Sequence, residues 1–162
     1  MVAGSTTSER VSKVEAKRLW NATVKDCHNF FTKVLPHIFS SATILEGDGG
    51  VGTIKQFNFT PEAVKEFSYV KERVDEIDEE KLVYKYTVIE GGPLGSKLIA
   101  LSYETKFVAK EEGGCVISRT SNYETVPGAE FDEAKVKELK ENMNAMFEKV
   151  EQYLLSNPNV YC

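Results

Sequence analysis

The residue types that could do chemistry in this chain are few. Cys27 beside His28 pairs a thiol with an imidazole, the parts of an activated nucleophile. Neighbours on a helix point about 100° apart, so the two side chains seldom face each other, and the sequence shows no third group to orient the imidazole. Gly47, Gly49, Gly50 and Gly52 crowd one loop, and converging backbone N–H groups there could cradle a phosphate. The loop lacks the Gly-Lys-Ser/Thr ending of a nucleotide P-loop and runs into a strand pattern, where a P-loop needs a helix. A hairpin turn whose glycines supply positive φ explains it better. No His, Cys, Asp or Glu cluster has metal-ligand spacing, so no metal and no cofactor is expected. The acidic stretch from Asp75 to Glu80 reads as a solvated turn.

More informative are polar groups placed on apolar strand faces. Lys55 shares a strand face with Phe57 and Phe59, which turns its amine inward. Arg119 shares a strand face with Ile117, Ser121 and Tyr123. An inward arginine is costly to bury alone. Three placements are open: a pair with an acid such as Glu104 or Glu124, recognition of a ligand carboxylate or carbonyl, or a solvated strand edge.

The elements that must position these groups follow from the hydrophobic period. Ala16, Leu19, Trp20, Thr23 and Val24 give one helical stripe, and Phe30, Phe31, Val34 and Leu35 a second, stopped by Pro36. The period then falls to two, through Lys55–Phe59, Phe67–Tyr69, Leu82–Val88, Ile99–Phe107 and Ile117–Tyr123, with turn signals between the runs. Connections this short require antiparallel pairing. From about Phe131 the helical period returns, and Val136, Leu139, Met143, Met146, Phe147, Val150 and Leu154 form one stripe until Pro158. With a first strand ending near Val11, the order is one strand, two short helices, six strands and one long helix. This is an α+β plan in a single domain over residues 1–162.

Bulk properties exclude several functions. With 41% hydrophobic and 28% charged residues, the 162-residue chain can build a core. The net charge of −5 and the interleaving of acids and bases leave no basic footprint, so no nucleic acid is expected as partner. No apolar run is long enough to cross a bilayer, and the polar start has no signal-peptide pattern. Three widely spaced cysteines make no disulfide framework. These features point to the cytosol, and to a monomer or weak dimer. The long helix must bury its stripe on the sheet, whose inward face carries tyrosines instead of aliphatic residues. Tyr69, Tyr84, Tyr86, Tyr103 and Tyr123 are the set, and a buried phenol needs a hydrogen-bond partner. Aromatic walls with polar tips and adaptable Met143 and Met146 describe either a small-molecule cavity or an ordinary core.

Four blocks in order, EGDGGVGTIK (46–55), YVKERVDEID (69–78), YKYTVIEGGPLG (84–95) and VEQYLL (150–155), make the chain resemble the plant pathogenesis-related class 10 proteins, relatives of the major birch pollen allergen. The likeness runs from about Val11 to Tyr161. It implies a helix-grip fold: seven curved antiparallel strands around the long C-terminal helix, two short helices after strand 1, and a hydrophobic cavity. By position it assigns Phe59, Phe67, Tyr69, Glu72, Tyr84, Tyr86, Val88 and Leu101 to the cavity wall, joined by Leu139, Asn142, Met143 and Met146 from the helix.

The resemblance also implies a function. It predicts intracellular binding, storage or transport of small hydrophobic plant molecules, cytokinin-, flavonoid-, sterol- or alkaloid-like, in defence or stress. The alternative is an enzyme that condenses or isomerises alkaloid precursors in the same cavity. A ribonuclease, credited to some relatives, comes third. Lys55, Glu151 and Tyr153 match the positions proposed for it, but Ile99 stands where that proposal needs a second glutamate. Two residues are inserted between Phe59 and Phe67 relative to the allergen pattern. Thr23 replaces a bulky apolar residue and Arg119 a small or neutral one, and all three departures bear on ligand choice.

Overall fold

The computed structural model describes residues 3–95, 97–129 and 133–162. Seven strands, β1 (Ala3–Ser12), β2 (Phe39–Glu46), β3 (Ile54–Phe59), β4 (Tyr69–Asp78), β5 (Val83–Gly91), β6 (Leu98–Ala109) and β7 (Cys115–Thr125), form one antiparallel sheet. Its order is β1-β7-β6-β5-β4-β3-β2. Between β1 and β2 lie α1 (Ala16–Trp20), a π-helical turn (Asn21–Lys25) and α2 (Cys27–Val34), and the chain closes with α3 (Glu133–Ser156). Phe131, where the sequence turns helical, and the Val136 side chain lie outside the described residues.

Period two shapes the inner face. Lys55 and Phe57 on β3, Val70 and Val74 on β4, Tyr84 and Val88 on β5, and Leu101 and Phe107 on β6 are all buried. Bulges break the parity at defined places. On β4, Asp75 and Glu76 both turn outward where the register against β5 slips. On β6 a slip between Leu98 and Ala100 leaves Ile99 48% exposed, away from the inner face that alternation assigns it. The polar start of the chain is a full edge strand, paired with β7 from Ala3↔Glu124 to Ser12↔Cys115.

The dry core gathers at one end, where α1, α2 and the last turns of α3 meet the sheet. Leu19, Trp20, Phe30, Leu35 and Leu154 are wholly buried there, and Trp20 packs edge-on against Phe107. Arg18 ties this end together by donating to the carbonyls of Leu154, Asn157 and Val160 at 2.9–3.1 Å. The Leu154 carbonyl is one that a helix C-terminus leaves unpaired, and a cation suits it. Toward the other end of α3 the stripe is uncovered, with Leu139 53% and Met143 42% exposed. The sheet curves away from the helix there and leaves space.

The glycine loop behaves as a turn. Gly47 has φ +91°, and a side chain in its place would collide with Thr53. The N–H of Gly49 donates to Thr53 Oγ1 and that of Gly50 to Asp48 Oδ1, so two donors a phosphate would need are engaged.

Candidate functional site

Between the sheet, the two short helices and the uncovered half of α3 lies a cavity of about 670 Å³. That volume is in the range of small-molecule sites. Its walls are mainly apolar. Phe31 and Leu35 come from α2 and its end, Phe57 and Phe59 from β3, Val88 from β5, Leu101 from β6, and Met143 and Met146 from α3. The aromatic wall is continuous, since Phe31 stacks on Phe39 at 5.5 Å and Phe59 meets Phe67 edge-on at 5.4 Å. The loop carrying the two inserted residues reaches the mouth through Ala63 and Val64. Thr23 also lines the space, its hydroxyl turned back to the Leu19 carbonyl at 2.7 Å.

A few polar groups interrupt this surface, each set by strand register. Thr105 and Arg119 are paired across β6 and β7, and Tyr86 and Tyr103 across β5 and β6. The Arg119 guanidinium therefore reaches diagonally over the Tyr103 ring, 4.2 Å from its centroid, and donates to the Tyr86 hydroxyl at 2.8 Å. Met143 Sδ lies 4.0 Å from it on the helix side. Arg119 thus faces the cavity. Glu104, one acid considered for it, is held on the outer face by Lys85 and Lys106 at 3.3 and 3.1 Å. Among the described residues Arg119 forms no ion pair.

Glu72 is the inward acid. It lines the cavity opposite Val88, next to Lys55 on the neighbouring strand. Burial raises its carboxyl to about 7, against the pull of Arg119 and Lys55. Burial also pushes the Tyr84 and Tyr86 phenols upward, so both remain protonated at neutral pH. Tyr86 accepts from Arg119 and so has its own proton to donate elsewhere. Lys55 sits behind the wall, 3% exposed, with Nζ 3.3 Å from Cys27 Sγ and 5.5 Å from the Tyr84 ring centre.

The sequence-derived site is therefore largely assembled. Phe59, Phe67, Glu72, Tyr84, Tyr86, Val88, Leu101, Arg119, Leu139, Asn142, Met143 and Met146 all line the cavity. Tyr69 does not. It stands three residues from Glu72 on one strand, and such residues point to opposite faces; its hydroxyl donates outside to Glu90 at 2.8 Å. Tyr123 stays on the inner side of the sheet's edge, its ring beside Gly4 and away from the cavity wall. Lys55, Glu151 and Tyr153 are held in separate places. Glu151 accepts from the Ser12 hydroxyl at 2.7 Å and Tyr153 packs on Phe30, and no described contact joins them to Lys55. Sequence reasoning missed Cys27 as the partner of Lys55, although Cys27 continues the helical spacing of Leu19, Trp20, Thr23 and Val24. It also missed the cations at the mouth. Arg10 packs over Phe147 at 4.5 Å, and Lys149 meets His37 at 3.0 Å.

A curved seven-stranded sheet holding a long C-terminal helix over an apolar cavity defines the helix-grip class. Residues 1–157 match the pathogenesis-related protein Bet v 1 family, and the chain belongs to it. The major strawberry allergen Fra a 1-2 of Fragaria ananassa is 43% identical over 155 residues, covering 96% of each chain. The crystal structure of Ara h 8.0201 superposes with a TM-score of 0.82 at 30% identity, covering 96% of this chain and 99% of that one. Norcoclaurine synthase from Thalictrum flavum, solved with dopamine and hydroxybenzaldehyde, superposes with a TM-score of 0.74 at 26% identity, covering 96% and 88%. Among the described residues no helix is long and apolar enough to cross a membrane, and no group of acids, cysteines and histidines could hold a metal.

Proposed function

We propose that the protein reversibly binds a small, largely apolar plant molecule in this cavity, as a cytosolic store or carrier in defence or stress. The observation that carries the reading is the cavity of about 670 Å³, with aromatic and aliphatic walls and a few convergent polar groups. A ligand of about 20–25 heavy atoms gaining about 0.3 kcal/mol per atom would bind with roughly 6–8 kcal/mol, in the micromolar range. Most of that comes from apolar burial, while Arg119, Tyr86 and Glu72 orient the ligand. The half-exposed Leu139 and Met143 make the natural route of entry.

A second reading has its own observation. A carboxyl raised to about 7 inside a cavity, with a lysine and an arginine nearby, is suited to proton transfer at neutral pH. The likeness to norcoclaurine synthase makes condensation or isomerisation the reaction class to try. Native mass spectrometry of the protein after incubation with a plant tissue extract separates the two. An unaltered molecule retained at stoichiometric level supports the carrier. Loss of an extract component, with a new product and little bound at the end, supports the enzyme. Neither retention nor turnover would overturn both.

A further inference from the structure

The charges around the cavity run opposite to those of the whole chain. The protein carries −5 overall, yet among the described residues Arg10, Lys149 and Arg119 line the space against Glu9 and Glu72, and Lys55 lies just behind the wall. The mouth cations are engaged, Arg10 with Asn144 and the Phe147 ring and Lys149 with His37. Arg119 differs. Its contacts are the Tyr86 hydroxyl, the Tyr103 ring and the Met143 thioether, all of them neutral. A guanidinium remains charged under all ordinary conditions, and its planar fork matches a carboxylate in two-point contact. Three neutral groups fix its plane without neutralising it, and the cavity is the side from which an anion can reach it.

Resting on the reading that the cavity binds a ligand, we propose that the ligand class is an amphipathic monoanion: an apolar ring or chain body bearing one carboxylate, docked on Arg119 with its body against the aromatic wall. Tyr86, whose hydroxyl accepts from Arg119, donates its own proton to the same carboxylate. A second carboxylate on the ligand would share the enclosure with Glu72, and one of the two would have to bind a proton to stay there. Neutral molecules with the same apolar body, which a purely hydrophobic cavity would accept equally, are disfavoured, since they leave the guanidinium desolvated and unpaired.

The test uses N-phenyl-1-naphthylamine, a neutral probe that fluoresces in apolar sites, and two competitors with one body, 1-naphthylacetate and 1-naphthylacetamide. In the wild-type protein the carboxylate is expected to displace the probe about tenfold better than the amide, the size of one charge-assisted contact of about 1.4 kcal/mol. In Arg119→Met the carboxylate-to-amide ratio falls to about one, and a cooperative urea transition shows separately that the variant is folded. Arg119→Lys, with the charge but not the fork, retains part of the preference. An unchanged ratio in Arg119→Met, or equal competition by both molecules in the wild type, overturns the proposal and leaves the cavity reading standing. Failure of the wild type to bind the probe saturably removes the cavity reading, and the proposal with it.

Discussion

Lys55 and Glu72 are cross-strand neighbours on the inner face of β3 and β4, yet the lysine amine is directed to the Val24 carbonyl and the Cys27 thiol and not onto the acid. Its Nζ turns to Cys27 Sγ, 3.3 Å away on α2. The consequence is a carboxyl left facing the cavity with positive charge near but not on it. Burial dominates its environment and holds it at about 7.

That value makes folding stability depend on pH in a defined direction. In the unfolded chain Glu72 titrates near its ordinary value of about 4.3. Between there and about 7 the folded protein holds a proton that the unfolded chain has lost, so this residue's contribution to stability falls as pH rises through that window. The full effect is about 3–4 kcal/mol at about 1.4 kcal/mol per unit, and water in an open cavity brings it to about 2–3. Glu72→Gln removes it. Urea unfolding at pH 5 and pH 8 should show the variant gaining about 2 kcal/mol on the wild type between the two. A constant difference would mean the carboxyl titrates in its ordinary range. The groups facing it, Lys55, Tyr84, Tyr86 and Arg119, are present in both proteins and cancel in the comparison.

The same burial governs the thiols. Desolvation raises Cys27 despite the adjacent lysine, and raises Cys115 to about 11. Cys162 is exposed. Iodoacetamide at pH 8, followed by peptide mapping, should label Cys162 alone in the folded protein, with Cys27 and Cys115 following only in denaturant. Labelling of Cys27 at the rate of Cys162 would show a thiolate stabilised by Lys55, and would revive nucleophilic chemistry at this position.

Two tyrosines test which face of the sheet matters. Tyr86→Phe removes the acceptor that aims Arg119 and leaves a charged donor unpaired, so it should cost about 1–2 kcal/mol of stability and weaken the carboxylate preference severalfold. Tyr69→Phe removes only an exposed bond to Glu90, and should change stability by less than about 0.5 kcal/mol and leave probe binding untouched. If Tyr69→Phe alters ligand affinity, the inner and outer faces of β4 are reversed.

These tyrosines also mark how far the sequence can be read. Lys55, Phe57 and Phe59 turn inward because a strand has a strict period of two, and parity alone predicts it. Arg119 shares its parity with Ile117, yet parity left its place open between the cavity and a solvated strand edge, and it named no partners. They come from β5, β6 and α3, and only strand order and register bring those together. Tyr69 was assigned inward with the other tyrosines, and again by resemblance, although parity with Glu72 forbids it, and the parity is the better guide. The slip that expels Ile99 lies between Leu98 and Ala100, a stretch with no turn residue to announce it. β1 is polar over most of its length because it is an edge strand with little to bury, so its period is silent before Val11. The Cys27–Lys55 contact joins residues 28 positions apart, with no local pattern to signal it.

The long helix divides its work along its length, and two leucines on one stripe separate stability from binding. Leu154 is fully buried among Leu19, Trp20 and Phe30 in the dry core, whereas Leu139 is half exposed over the cavity mouth. Leu154→Ala leaves a void that rigid neighbours cannot fill, and should cost about 2–5 kcal/mol in urea unfolding. Its effect on probe affinity, measured where the protein remains folded, should stay within about twofold, because the residue does not line the cavity. Leu139→Ala removes little buried surface and should cost less than about 0.5 kcal/mol. It also removes apolar area from the mouth, worth about 1 kcal/mol to a bound molecule, so N-phenyl-1-naphthylamine should bind about fivefold more weakly and leave faster. The opposite pattern, with Leu139→Ala destabilising and binding unchanged, would place a closed core where the cavity lies and return the inner tyrosines to a structural role.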